Sequence, residues 1–188
     1  MSVPEFIKEA NKIYVTYLRK GDEFNKDLIT TDLKCTFINK PTHAWWGSPE
    51  DTDYGWKEWC ISEEYGNYDF DKPIKWKLKE GSKIFAIDFQ TVTNVPSFLT
   101  DHMYKKQIDL YIRKMPLEKD DIKYLLHDIT GFSSYCIDFE KLKEDGISAV
   151  ELLNASVGHL FLNGFEIMFN SWDCESIVVL DDSKIEFL

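Results

Sequence analysis

Apolar and polar side chains alternate with period two at both ends of the chain, and helical spacing lies between. "KIYVTYLRKGD" (12 to 22) alternates β-branched and aromatic residues until Gly21-Asp22, which predicts a strand. "LKCTFIN" (33 to 39) predicts a second strand, and "AWWGS" (44 to 48) a short third one ending at Pro49. "IKWKLK" and "KIFAIDF" (74 to 79 and 83 to 89) flank Glu80-Gly81-Ser82 and read as a hairpin. "ISAVELL" (147 to 153) and the continuous apolar run "SIVVL" (176 to 180) read as buried strands. Helices are predicted over 2 to 12, with Ser2 as cap and Pro4 in the first turn, and over 54 to 65, capped by Asp53. Residues 95 to 128 show helical spacing in two pieces broken near Met115-Pro116, and 138 to 146 form an amphipathic helix closed by Gly146. For "HLFLNGFEIMF" (159 to 169), periodicity leaves strand and buried helix both open. The expected fold is α+β, with mixed or antiparallel sheets and inserted helices. It forms a single domain over 1–188 with a helical insertion around 95–135.

Composition narrows the functional classes. With 44% hydrophobic residues, an ordinary core can form. The formal net charge of -11 argues against direct nucleic-acid binding and against an anionic membrane surface. It permits a basic protein surface as partner. Four cysteines with no CxxC pair, no apolar leader and no long apolar run predict a reduced, cytoplasmic protein.

Phosphate-cradling glycine loops (GxxxxGK[ST], GxGxxG) and the GxSxG elbow are missing from the sequence. His43, His102, His127 and His159 never fall at metal-ligand spacing with the cysteines, so no metal is expected. Three features remain. Arg19, beside Gly21 at a strand end, can reach a cleft and grip a carboxylate or phosphate, or can be a surface arginine in a turn. The segment 42 to 60 holds four of the six tryptophans. Trp46, Trp56 and Trp59 can wall a cleft, with Gly47 admitting a ligand and Ser48 offering a hydroxyl, or can form a core layer. Cys60, on the stripe with Trp56 and Trp59, reads as a small buried apolar residue. Glu151 alternates on one face with Ile147, Ala149 and Leu153, which makes it either a buried carboxylate with a task or a strand-end glutamate turned to solvent.

The order of these motifs resembles the ADP-ribosyltransferase fold: an arginine ending the first strand, an aromatic-Gly-Ser strand, an aromatic helix, and a glutamate on a late strand. "WWGSPEDTDYGWKEWC" with "WDCESIVVLDDSKI" also resembles small proteins of Gram-positive bacteria and their phages. The resemblance covers the two ends of the chain. It lacks a Ser-Thr-Ser strand, a Glu-x-Glu pair and a His-Gly-Thr strand. It implies NAD as substrate, with the diphosphate on Arg19, the nicotinamide between Trp46 and Trp59 with Trp56 beside them, and the ribose held by Ser48. Glu151 would stabilise the charge that develops as nicotinamide leaves, with Asp173 or Glu175 as alternatives for the acid position. A protein target or water would then attack. Two other readings stand beside this one: a non-catalytic acidic inhibitor occupying a basic surface of a host protein, and a nucleotide-sequestering protein.

Overall fold

The computed structural model describes residues 7–29, 31–35, 40–89, 101–105, 135–154, 160–162, 165–167 and 172–188. The strands, in chain order, begin with β1 (Ile7–Glu9), β2 (Ile13–Thr16), β3 (Asp32–Cys35), β4 (Pro41–His43) and β5 (Trp45–Pro49). They continue with β6 (Ile74–Leu78), β7 (Lys83–Asp88), β8 (Met103–Lys105), β9 (Tyr135–Ile137) and β10 (Ile147–Leu153). The last are β11 (Leu160–Leu162), β12 (Phe165–Ile167), β13 (Ser176–Val179) and β14 (Ile185–Phe187). Two α-helices, α1 (Trp56–Ser62) and α2 (Phe139–Glu144), and two short 3-10 helices, Lys26–Leu28 and Asp182–Lys184, complete the described elements.

The result is a mixed α+β protein. Among the described residues, eight strands form one sheet in the order β1-β7-β10-β13-β5-β2-β6-β14. Every pairing in it is antiparallel except β7 with β10. Three small ribbons, β3-β4, β8-β9 and β11-β12, stand apart from it.

The predicted strands at 74–78 and 83–88 exist, but they do not form a hairpin. β6 pairs with β2 and β14, whereas β7 pairs with β1 and β10, near the opposite end of the sheet. Only residues 79–82 join them, with Gly81 at φ +78° and Ser82 N–H donating to Lys79 C=O. So short a connection between distant strands requires the sheet to curl. Side chains from both halves then share one cluster: Trp76, Leu78, Ile84, Ala86, Ile177 and Val179 meet with Tyr14 and Ala149. That is the inner face. The outer face carries Phe85, Ile87, Val150, Leu152 and Val178, covered by Phe139 and Leu142 of α2 and by Trp172.

Period-two alternation thus places β7, β10 and β13 between two apolar layers, whereas β6 and β14 turn Lys75, Lys77 and Glu186 away from the core. β10 departs from it once. Ile147 and Ala149 oppose the consecutive residues Lys83 and Ile84 of β7, which marks a bulge at Ser148. Ser148 C=O accepts from both Leu180 and Asp181 N–H. The bulge sends Ile147 into the outer cluster, so Glu151 shares its face with Ala149 and not with Ile147 as the alternation alone implied.

The helix expected over 2 to 12 is corrected for the described part. Residues 7–9 are an edge strand, held by pairing Ile7, Lys8 and Glu9 with Phe85, Ile84 and Lys83. A cap signal over so short a stretch yields to tertiary pairing. The segment 159 to 169 resolves to the β11-β12 ribbon. Most of the predicted helical middle lies outside the described residues, but Met103–Lys105 within it pair as a strand with Tyr135–Ile137. The helix over 138 to 146 appears as α2, with Asp138 accepting from Lys141 N–H and Gly146 at φ +85° ending it.

Candidate functional site

β5 is the hinge of the site. Its alternation turns Trp45 and Gly47 inward and Trp46 and Ser48 outward. A Cβ on Gly47 would lie 2.7 Å from Trp76 Cζ2 and 2.9 Å from Val15 C=O, so the glycine is needed for close packing on the inner face. Ser48 is 1% exposed, and its Oγ accepts from Trp56 N–H at 2.9 Å. Glu58 closes the same turn by accepting from Gly55 N–H. The hydroxyl on β5 therefore starts α1, in the role expected of Asp53, and fixes Trp56 beside the sheet.

The space between β5, β2, α1 and the segment before β13 is a cleft of about 430 Å³. Its aromatic wall is Tyr17, Trp46, Trp56 and Tyr68, and its polar groups include Ser48, Ser176, Lys40 and Asp173. Trp59 stacks on Trp56 at 5.0 Å between centroids and 19° between planes, so it backs the wall without lining it. Trp46 packs edge-on against Trp172, and Lys40 Nζ lies 5.0 Å from its ring centroid. The two readings of the tryptophan segment both hold in part. Trp45 packs in the inner layer and against Phe187, while Trp46 and Trp56 face the cleft.

Tyr68 arrives by backbone pairing. Asp69 N–H donates to Leu18 C=O, Lys20 N–H donates to Asn67 C=O, and Arg19 bridges Tyr68. Arg19 itself is exposed. It continues the Val15–Tyr17 face of β2 but is outside the lining of the cleft.

Glu151 is 2% exposed, as the buried reading had it, and it faces the other way. It stands in register with Ile177, and Ile177 with Gly47, all on the inner face. Its Oε1 accepts from Lys12 Nζ and Tyr14 OH, each at 3.2 Å. Burial, then the charge of Glu151, pushes the Tyr14 phenol far above its ordinary range. The sheet therefore separates Glu151 from Trp46, Ser48 and Trp56. The acids on the cleft side are those just before β13. Glu175 accepts from Thr52 Oγ1 and pins the loop ahead of α1, while Asp173 lines the cleft.

The electrostatics of the cleft are those of a half-dry site. Burial raises Asp173 above the usual carboxylate range, opposed by the neighbouring Lys40 ammonium. Burial lowers Lys40, opposed by Asp173 and then Cys174. Burial, then Glu58 and Glu50, raises the Tyr17 phenol. Cys174 is also raised, chiefly by burial. Lys40, Tyr17, Tyr68 and Cys174 were not legible as site residues, because their only local signal is the Val15–Tyr17 alternation and an apolar run after Cys174.

The chain matches no protein-family model, no curated protein and no solved structure. Among the described residues, no His, Cys, Asp and Glu group can hold a metal ion, and no helix is long and apolar enough to cross a membrane.

The thiols give one expected result. Cys60 is 3% exposed, and burial pushes its pKa up to about 11. On the order of one thiol in ten thousand is then ionised at pH 7. Peptide-resolved alkylation of the native protein should leave Cys60 and Cys174 unmodified for hours and label both within minutes in denaturant. Rapid native labelling of either would contradict the burial.

Proposed function

We propose that the cleft binds NAD and that the protein is an ADP-ribosyltransferase-like enzyme, with Asp173 rather than Glu151 as its acid. The observation that carries this reading is the neighbouring order β2-β5-β13, which gathers Trp46, Ser48, Trp56 and Asp173 around one space. The same order supports an ADP-ribosyltransferase-like sheet, in which an early strand, an aromatic-Gly-Ser strand and an acid-bearing strand lie side by side. Trp46 and Trp56, both on the lining of the cleft, supply an aromatic surface for a flat pyridinium ring. As the ring–ribose bond breaks, its electron pair moves to the ring nitrogen and positive charge develops at the anomeric carbon. An ionised Asp173 in a poorly hydrated cleft stabilises that charge more than it stabilises the ground state. The acceptor, a protein side chain or water, forms the new bond and gives up a proton.

The test is nicotinamide release from NAD by wild type, Asp173→Asn and Glu151→Gln, with and without a bacterial lysate. Wild type and Glu151→Gln should release it, and Asp173→Asn should do so at least tenfold more slowly. Release should also fall as pH drops, with a midpoint above that of an ordinary aspartate, since Asp173 must be ionised and burial raises it. Equal rates for Asp173→Asn and wild type would remove Asp173 from the mechanism. NAD binding without release would favour sequestration instead.

A second reading has its own support. Residues 50 to 71 carry eight carboxylates against one lysine, together with six aromatic residues. An acidic interaction protein needs such a surface. Its complex with a basic partner would weaken steeply with salt, whereas binding in an aromatic cleft would not.

A further inference from the structure

We propose that Lys40, and not Arg19, reads the phosphate of the cleft's ligand, which makes that ligand a phosphorylated aromatic small molecule. This rests on the nucleotide reading and names the group that selects within it. Of the described residues that line the cleft, Lys40 alone carries a cationic side chain and Asp173 alone a carboxylate.

Two observations place the ammonium on the wall of the cleft. Lys40 is half-buried, and its Nζ lies over the Trp46 ring at 5.0 Å, so the head of the side chain is drawn onto the aromatic wall instead of extending into solvent. The following residue, Pro41, is buried in the same wall and opens β4, which anchors the backbone that carries the lysine. Arg19, by contrast, is exposed and outside the lining.

The physical consequence concerns selection. A chain with a net charge of -11 repels free phosphates over most of its surface. An ammonium held on the aromatic wall of a cleft, with part of its hydration given up, gains more from an incoming phosphate than a fully hydrated lysine would. The aromatic wall holds the flat part of the ligand, Lys40 holds its phosphate, and the neighbouring Asp173 repels a phosphate that the ammonium does not meet. The three groups therefore orient a nucleotide as well as attract it.

Tryptophan fluorescence titrations with NAD, nicotinamide mononucleotide, nicotinamide riboside and ADP test the proposal. The mononucleotide and the riboside differ by one phosphate. Wild type should bind the mononucleotide at least tenfold more tightly than the riboside. Lys40→Gln should erase that difference, Lys40→Arg should retain most of it, and Arg19→Gln should leave it unchanged. If Lys40→Gln binds both as wild type does, or if Arg19→Gln erases the difference, the assignment of Lys40 is overturned while NAD binding stands. If wild type binds none of the nicotinamide compounds but binds ADP in a Lys40-dependent way, the NAD reading fails and the phosphate assignment stands. Binding of none of the four overturns both.

Discussion

Replacing Trp76 by alanine should lower the unfolding free energy by about 4 kcal/mol, as expected for deleting a fully buried aromatic side chain. Trp76 is 0% exposed. It lies 5.0 Å from Tyr14 between ring centroids and 6.5 Å from Trp45, and it fills the space that Gly47 leaves open. Its Nε1 donates to Thr16 Oγ1 at 2.9 Å, and Thr16 donates in turn to Trp46 C=O. The ring thus ties β6 to β2 and β5 across the curl of the sheet. A loss of this size is a large part of the ~5–15 kcal/mol by which domains are usually stable. Urea unfolding would measure it. Trp76→Phe should recover more than half of the loss, since it keeps an aromatic ring and gives up the hydrogen bond. A Trp76→Ala protein within about 1 kcal/mol of wild type would mean that the inner layer is not packed as described.

Glu151→Ala should cost about 2–4 kcal/mol of stability and should spare the cleft. The larger part comes from Tyr14, whose buried hydroxyl loses its acceptor. Lys12 contributes less, because at 36% side-chain exposure its ammonium can turn to water when the carboxylate is gone. Glu151→Gln keeps an oxygen for Tyr14 and should cost only about 1 kcal/mol. A double-mutant cycle of Tyr14→Phe with Glu151→Gln would isolate the pair. Strong loss of nucleotide binding in a folded Glu151→Gln protein would place the glutamate back in the site and overturn its separation by the sheet.

These two expectations show where sequence pattern carries information and where it stops. Alternation identified the strand at 147–153, and a continuous apolar run the one read over 176–180; period two also put Glu151 on an apolar face, while leaving open whether its carboxylate is buried. The tryptophan-dense segment pointed to Trp46, Ser48 and Trp56, three residues that one cleft brings together, and also to Trp59, which lies behind its wall. Neither signal revealed which face of the sheet each set occupies, since that depends on a partner order no local pattern encodes. β13 lies between β10 and β5, so the carboxylate on the lining of the cleft comes from the segment before β13 and not from β10. The mistaken hairpin has the same cause. Gly81 provides a turn, but the strands on either side find their partners 60 to 110 residues away, as Tyr14 with Trp76 and Leu78 with Ile185 illustrate. The three residues of β1 show no periodicity of their own, and only the register with β7 makes them a strand.

The position of β13 has a consequence for how the protein is made. Residues 176–179 insert between β10 at 147–153, made shortly before them, and β5 at 45–49, made much earlier. Until β13 arrives, each of those strands has a row of backbone donors and acceptors open on one side. The middle of the sheet thus stays open until late in synthesis, and closing it on the β5 side joins segments separated by more than a hundred residues. Topologies of that kind fold slowly and pass through species with exposed strand edges. During synthesis, the half-built sheet is the form most prone to pairing with another chain, and a chaperone that shields β5 or β10 would raise the yield of folded protein more than one acting after release.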